Sequence, residues 1–166
     1  MTEPERGAAP VVRRAEASDF DEWADLFRAY REFYRLAPDE SVVDRVWEWI
    51  LDDDHEVGAL VAERDGRLVG IAHHRRFARP TSATTGLYLD DLFAAPDARG
   101  TGVGRALIDA LSELAQSRGW SVVRWITASD NVQARRLYDS VAGATPWVTY
   151  DLVPGSVRKP GENGEQ

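Results

Sequence analysis

A chain of 166 residues, 43% apolar and 10% aromatic, has the length and apolar content of one folded domain, which excludes wholesale disorder. Its 28 acidic and 20 basic residues give a formal net charge of −8; a duplex-binding protein carries a basic stripe to displace counterions from phosphates, so nucleic acid is not expected as a partner. The sequence has no cysteine and three histidines (His55, His73 and His74), so it offers no disulfide, no thiolate nucleophile and no all-histidine metal site. No apolar run approaches the roughly 20 residues of a membrane span and no signal-peptide stretch is evident, so a soluble, cytoplasmic protein without membrane contact is expected.

In chain order, residues 1–10 and 154–166 are rich in Pro, Gly and charge and read as mobile ends around one domain over 11–153. Val11–Glu16 predicts a short strand. Ser18, with Asp21 three residues on, predicts a capped helix whose apolar face carries Phe20, Trp23, Leu26, Phe27, Tyr30, Phe33 and Tyr34. Ser41 and Asp44 repeat the pattern for a second helix that turns Val43, Val46, Trp47, Ile50 and Leu51 inward. The period then changes: Ala59–Arg64 and Arg67–Phe77 alternate like strands and meet at Asp65-Gly66, a two-residue hairpin signal. A polar loop over Arg79–Gly86, broken by Pro80, leads to a strand over Leu87–Ala94 that Pro96 stops. Gly104–Ser117 predicts a helix with Leu107, Ile108, Leu111 and Leu114 inward, ending near Gly119. A strand over Val122–Thr127, a helix from Asp130 or Asn131 to about Val141, and a last strand over Trp147–Val153 complete the order β-α-α-β-β-β-α-β-α-β. That order predicts an α/β domain of the α+β kind, a mixed sheet with helices on both faces, and does not fit a doubly wound nucleotide fold.

The most informative stretch is Arg99-Gly100-Thr101-Gly102-Val103-Gly104-Arg105, between a strand and a helix. Glycines let successive backbone N–H groups turn toward one point, and the start of the helix adds free N–H groups and a partial positive charge, a site for phosphate or pyrophosphate. The dinucleotide fingerprint and the Walker loop both fail, the first on glycine spacing and the second for want of a lysine. The spacing Arg-x-x-Gly-x-Gly after Asp90-Asp91-Leu92-Phe93-Ala94 instead resembles the pyrophosphate loop of the GNAT superfamily of acetyl-CoA-dependent N-acetyltransferases. Asn131-Val132-Gln133-Ala134-Arg135-Arg136-Leu137-Tyr138 resembles the second signature of that family, and Gly143 with Trp147-Val148-Thr149-Tyr150 its closing strand. Tyr88–Phe93 is similar to the acidic strand of diamine acetyltransferases; Tyr30–Tyr34 and Trp125-Ile126-Thr127 resemble a subgroup acting on free amino acids or basic proteins. Ala94, where a valine is common, and Ala144-Thr145-Pro146, in place of Gly-Phe, depart from the pattern.

The resemblance implies a mostly antiparallel sheet and an enzyme that moves an acetyl group from acetyl-CoA to a primary amine of a small molecule or peptide, directly and without a metal. A domain of the same fold that senses acyl-CoA without turnover is the alternative. It also implies that the backbones of Leu92, Phe93 and Ala94 meet the pantetheine arm, that Arg99, Gly100, Thr101, Gly102, Val103, Gly104 and Arg105 hold the diphosphate, and that Asn131 orients the cofactor. Tyr138 is the expected general acid, since a phenol of pKa about 10 stays protonated while a thiolate of pKa about 8.5 forms. Asp90 and Asp91, which leave a strand on opposite faces, are the candidate bases, with Asp90 nearer that role and His73 the competitor. Tyr30, Glu32 and Tyr34 are expected on the acceptor wall, and Arg75, Arg76 and Arg79 offer an alternative: a substrate carboxylate. Homodimers are common in the family, so the resemblance admits a homodimer, but no interface is legible in the sequence.

Overall fold

The computed structural model describes residues 8–156. Most of the two expected tails lies outside them. Strand β1 (Val11–Arg14) is followed by helices α1 (Phe20–Phe33) and α2 (Glu40–Leu51), then by strands β2 (Val57–Arg64), β3 (Arg67–Arg79) and β4 (Thr84–Ala94). Helix α3 (Val103–Ser117), the two-residue strand β5 (Val123–Arg124) and helix α4 (Val132–Val141) close the order. The sheet runs β1-β2-β3-β4-β5; every pair is antiparallel except β4 with β5, which is parallel. No helix among the described residues is long and apolar enough to cross a membrane.

Sequence chemistry explains the joints. Asp65 and Gly66 both have positive φ (53° and 73°), the backbone a primed hairpin turn demands, and Arg64 faces Arg67 across it. The helix starts differ from expectation because carboxylates outcompete the serines. Asp19, not Ser18, organises the first: its carboxylate accepts from the Glu16 N–H at 2.8 Å and from the Arg13 guanidinium at 2.7 and 2.9 Å. Asp39 caps the second, accepting from the N–H of Ser41 and of Val42. On one side of the sheet Trp23, fully buried, lies 4.7 Å from the Trp47 ring and joins α1 to α2. α3 seats Val103, Leu107 and Leu111 in the core; a Cβ on Gly70 would stand 2.5 Å from Val103, so the start of α3 lies hard against β3.

Three expected elements change. The loop over Arg79–Gly86 is a tight strand tip instead: β3 runs to Arg79, a single 3-10 turn covers Pro80–Ser82, and β4 begins at Thr84. Side-chain bonds from Arg79 to Ser121 (2.7 Å) and between Thr84 and Ser121 (2.9 Å) hold it. The strand expected over Val122–Thr127 shrinks to β5, which pairs only Val123 with Leu87 and Arg124 with Tyr88. The strand expected over Trp147–Val153 does not form; Trp147 is 82% and Tyr150 90% exposed. Alternating apolar residues give a segment strand propensity, but a strand also needs a sheet edge, and β5 offers two residues.

Candidate active site

β4 continues six residues past its last pairing with β5, so from Leu89 to Ala94 its β5-facing edge has no strand beside it among the described residues. The resulting gap divides into two chambers. The first, about 340 Å³, is framed by Leu92, Phe93 and Ala94, the loop Arg99–Arg105, and Asn131, Ala134 and Tyr138 from the α4 side. The second, about 400 Å³, is framed by Tyr30, Tyr34, Leu89 and Asp90 and by Trp125–Ala128 beyond β5. Tyr34, Leu92 and Tyr138 line both.

In the first chamber the glycine loop faces open space. Gly100 and Gly102 have φ of 73° and 90°, and a Cβ on either would meet nothing within 4 Å. Gly102 precedes α3 with no side-chain cap, and the first helical bond runs from Ala106 N–H to Gly102 O, leaving the N–H groups of Val103, Gly104 and Arg105 for an anion. A diphosphate fits this cradle. Arg99 spans the rim, its guanidinium 5.3 Å from the Phe33 ring centroid and 5.2 Å from that of Phe93. Thr101 does not line the chamber: its hydroxyl donates to Ala98 O at 2.6 Å and accepts from Arg64 at 2.8 Å, which braces the loop. Asn131 lines the chamber and accepts the Ala134 N–H, so it also caps α4.

Tyr138 comes from the second turn of α4, with its ring edge-on to Trp125 at 5.3 Å. Burial, with the Tyr34 hydroxyl nearby, pushes its phenol up to about 12. The hydroxyl therefore holds its proton at neutral pH.

The two adjacent aspartates part company. Asp90 lines the second chamber and meets Arg75, whose Nε lies 3.1 Å from Oδ2; burial raises its carboxyl above the ordinary range in spite of that guanidinium. Asp91 instead meets His73, 2% exposed, at 2.8 Å. Because an indole only donates, the Trp23 N–H at 2.9 Å makes His73 Nε2 an acceptor, and Nδ1–H must donate to Asp91. Burial pushes the Asp91 carboxyl up, yet hydrogen bonding to His73 and then Tyr30 leaves it below the ordinary value. Tyr30 is raised in turn, by burial and then by Asp91.

Of the expected acceptor residues, Tyr30 and Tyr34 line the second chamber; Glu32 is exposed and lines neither chamber, and His73 lies behind Asp91. Sequence reasoning missed Phe33 and Gln133 in the first chamber and Leu89 and Ala128 in the second. The helical stripe that marks Phe33 as apolar gives no sign of which end of it meets a ligand.

A model of the acetyltransferase (GNAT) family matches residues 22–144. The chain is 34% identical over 128 residues to the uncharacterized N-acetyltransferase YhfO of Bacillus subtilis, covering 77% of this chain and 85% of YhfO. It is 30% identical over 142 residues to D-amino-acid N-acetyltransferase HPA3 of Saccharomyces cerevisiae, covering 84% and 88%. Among solved structures, ribosomal-protein-alanine N-acetyltransferase from Brucella melitensis matches with a TM-score of 0.73 at 28% identity, over 89% of this chain and 100% of that one.

Proposed function

The chain belongs to the acetyltransferase (GNAT) family, and from that premise we propose that it acetylates a primary amine directly, with acetyl-CoA in the first chamber and the amine in the second. One observation carries this reading: two chambers of suitable size share a wall of three residues, and one of the three is a half-buried phenol that keeps its proton. The names of the relatives include both a small-molecule and a protein acceptor, which supports an amine as the common denominator.

When bound, acetyl-CoA supplies a thioester carbonyl for attack. Backbone N–H groups from Gly100 to Arg105 hold its diphosphate, and the unpaired edge of β4 at Leu92 and Ala94 meets the pantetheine arm. Asp90 attracts the ammonium form of the amine and takes its proton, work for which a carboxylate raised by burial is the better base. The amine nitrogen bonds to the acetyl carbon as the carbon–sulfur bond breaks, and its second proton passes to solvent. Tyr138 gives its proton to the departing sulfur, and solvent restores it. Both substrates are present at once. With no cysteine in the chain, no cysteinyl acyl-enzyme precedes the transfer.

Release of free thiol from acetyl-CoA, followed over a panel of primary amines for the parent and for Tyr138→Phe, tests the reading. We expect amine-dependent release in the parent, initial-rate lines that intersect, and a loss of about 10²-fold in kcat in the variant. Tight binding of acetyl-CoA with no acceptor raising release above background would make the domain a sensor.

A further inference from the structure

We propose that Arg75 and Asp90 form a receptor for the paired charges of a free α-amino acid, Arg75 taking the carboxylate and Asp90 the ammonium. This rests on the amine-acetylation reading above and narrows its acceptor. Asp90 lines the second chamber, and Arg75, which is not itself in the chamber wall, meets Asp90 through Nε, 3.1 Å from Oδ2 and 3.3 Å from Oδ1. The same guanidinium lies 4.6 Å from the centroid of the Tyr88 ring, its cross-strand partner, which fixes its plane. Only Nε is committed. Neither Nη group has a hydrogen-bond partner among the described residues, so the outer edge of a rigid fork, the part that matches a carboxylate, remains available.

An anion and a cation side by side recognise a zwitterion charge for charge, and an α-amino acid carries its two charges on groups bonded to one carbon. Other amines fit worse. A polyamine would bring a second cation against Arg75, and a lysine within a protein has no carboxylate beside its amine. Tyr34, Leu89 and Trp125 in the chamber wall offer an apolar or aromatic amino-acid side chain a surface, and about 400 Å³ gives it room. In the reaction the amine nitrogen forms the amide bond as carbon–sulfur breaks, giving the N-acetyl amino acid and coenzyme A; the carboxylate on Arg75 takes no part.

The test compares matched acceptors, phenylalanine against 2-phenylethylamine and alanine against ethylamine, in the parent and in Arg75→Met, which keeps an unbranched stem on Tyr88. The quantity read is the ratio of kcat/KM for the amino acid to that for its amine, in which any effect of the substitution on Asp90 common to both acceptors cancels. The parent should favour the amino acid of each pair by at least about tenfold, and Arg75→Met should remove most of that preference, mainly through KM. Arg75→Lys, retaining charge without the fork, should restore part of it. Equal use of both members of each pair, a preference for the amines, or a ratio unmoved by Arg75→Met overturns the receptor. Failure of every amine, with and without a carboxylate, overturns instead the acetylation reading on which it rests.

Discussion

Asp90 and Asp91 are chain neighbours with different surroundings: the β3–β4 register shifts between His73 and His74, which pair with Asp91 and Leu89, so Asp90 stands unpaired in a bulge. Asp90 looks into the second chamber, whereas Asp91 accepts from a buried histidine whose tautomer a tryptophan fifty residues away sets. Their neutral replacements should therefore fail differently. Asp90→Asn is expected to cut kcat/KM by about 10²-fold with little change in Tm. In the parent, activity should fall as pH drops through the Asp90 pKa, which burial places above the ordinary aspartate range, and a pH–rate profile should lose that limb in the variant. Asp91→Asn removes the charged acceptor of the buried His73 Nδ1–H, and should cost about 1–3 kcal/mol in urea unfolding at neutral pH. Had the two variants equal effects on activity and stability, this division of roles would be wrong.

At the scale of elements, the loop and the α3 start work as one unit, because Val103 is wedged against Gly70 and holds the helix end at the mouth of the first chamber. Gly102→Val places a branched side chain at a φ of 90° and in the open space before α3. Acetyl-CoA affinity by calorimetry should fall at least about tenfold while the far-ultraviolet circular dichroism is preserved; unchanged affinity would remove the diphosphate from this loop. The glycine loop was legible in the sequence because its requirement is local: a short spacing, a preceding strand and a following helix. The Asp65-Gly66 hairpin was legible for the same reason. Non-local features were not. The length of β5 depends on where β4 leaves it, and no pattern within Val122–Thr127 records that departure. The segment Trp147–Val153 has the alternation of a strand without an edge to join. His73 reads as a possible base until Trp23 and Asp91 are seen on its two nitrogens.

For the whole molecule, buried titratable groups tie stability to pH. Burial, reinforced by His73 and Arg14, lowers His74 to about 4, whereas the unfolded chain has the ordinary value near 6.5. Between those values the unfolded state binds the extra proton, so stability falls as pH drops from about 6.5 to 4, by up to about 3 kcal/mol. Asp19 lies lower, held below its ordinary value chiefly by the Arg13 hydrogen bond; its contribution is full above about 4 and is lost only on further acidification. Urea unfolding at pH 7, 5 and 4 should show the first loss, and His74→Leu should flatten it while leaving the more acidic loss in place. A parent equally stable at pH 7 and pH 4 would contradict this assignment. The same frame carries the chemistry, since the parting of β4 from β5 is what lets two chambers meet at one phenol. A crystal structure with coenzyme A bound tests that most directly. The diphosphate should lie on the backbone of Gly100–Arg105 and the sulfur beside Tyr138, facing Asp90; a diphosphate elsewhere, or a sulfur turned away from the gap, would overturn the two-chamber arrangement.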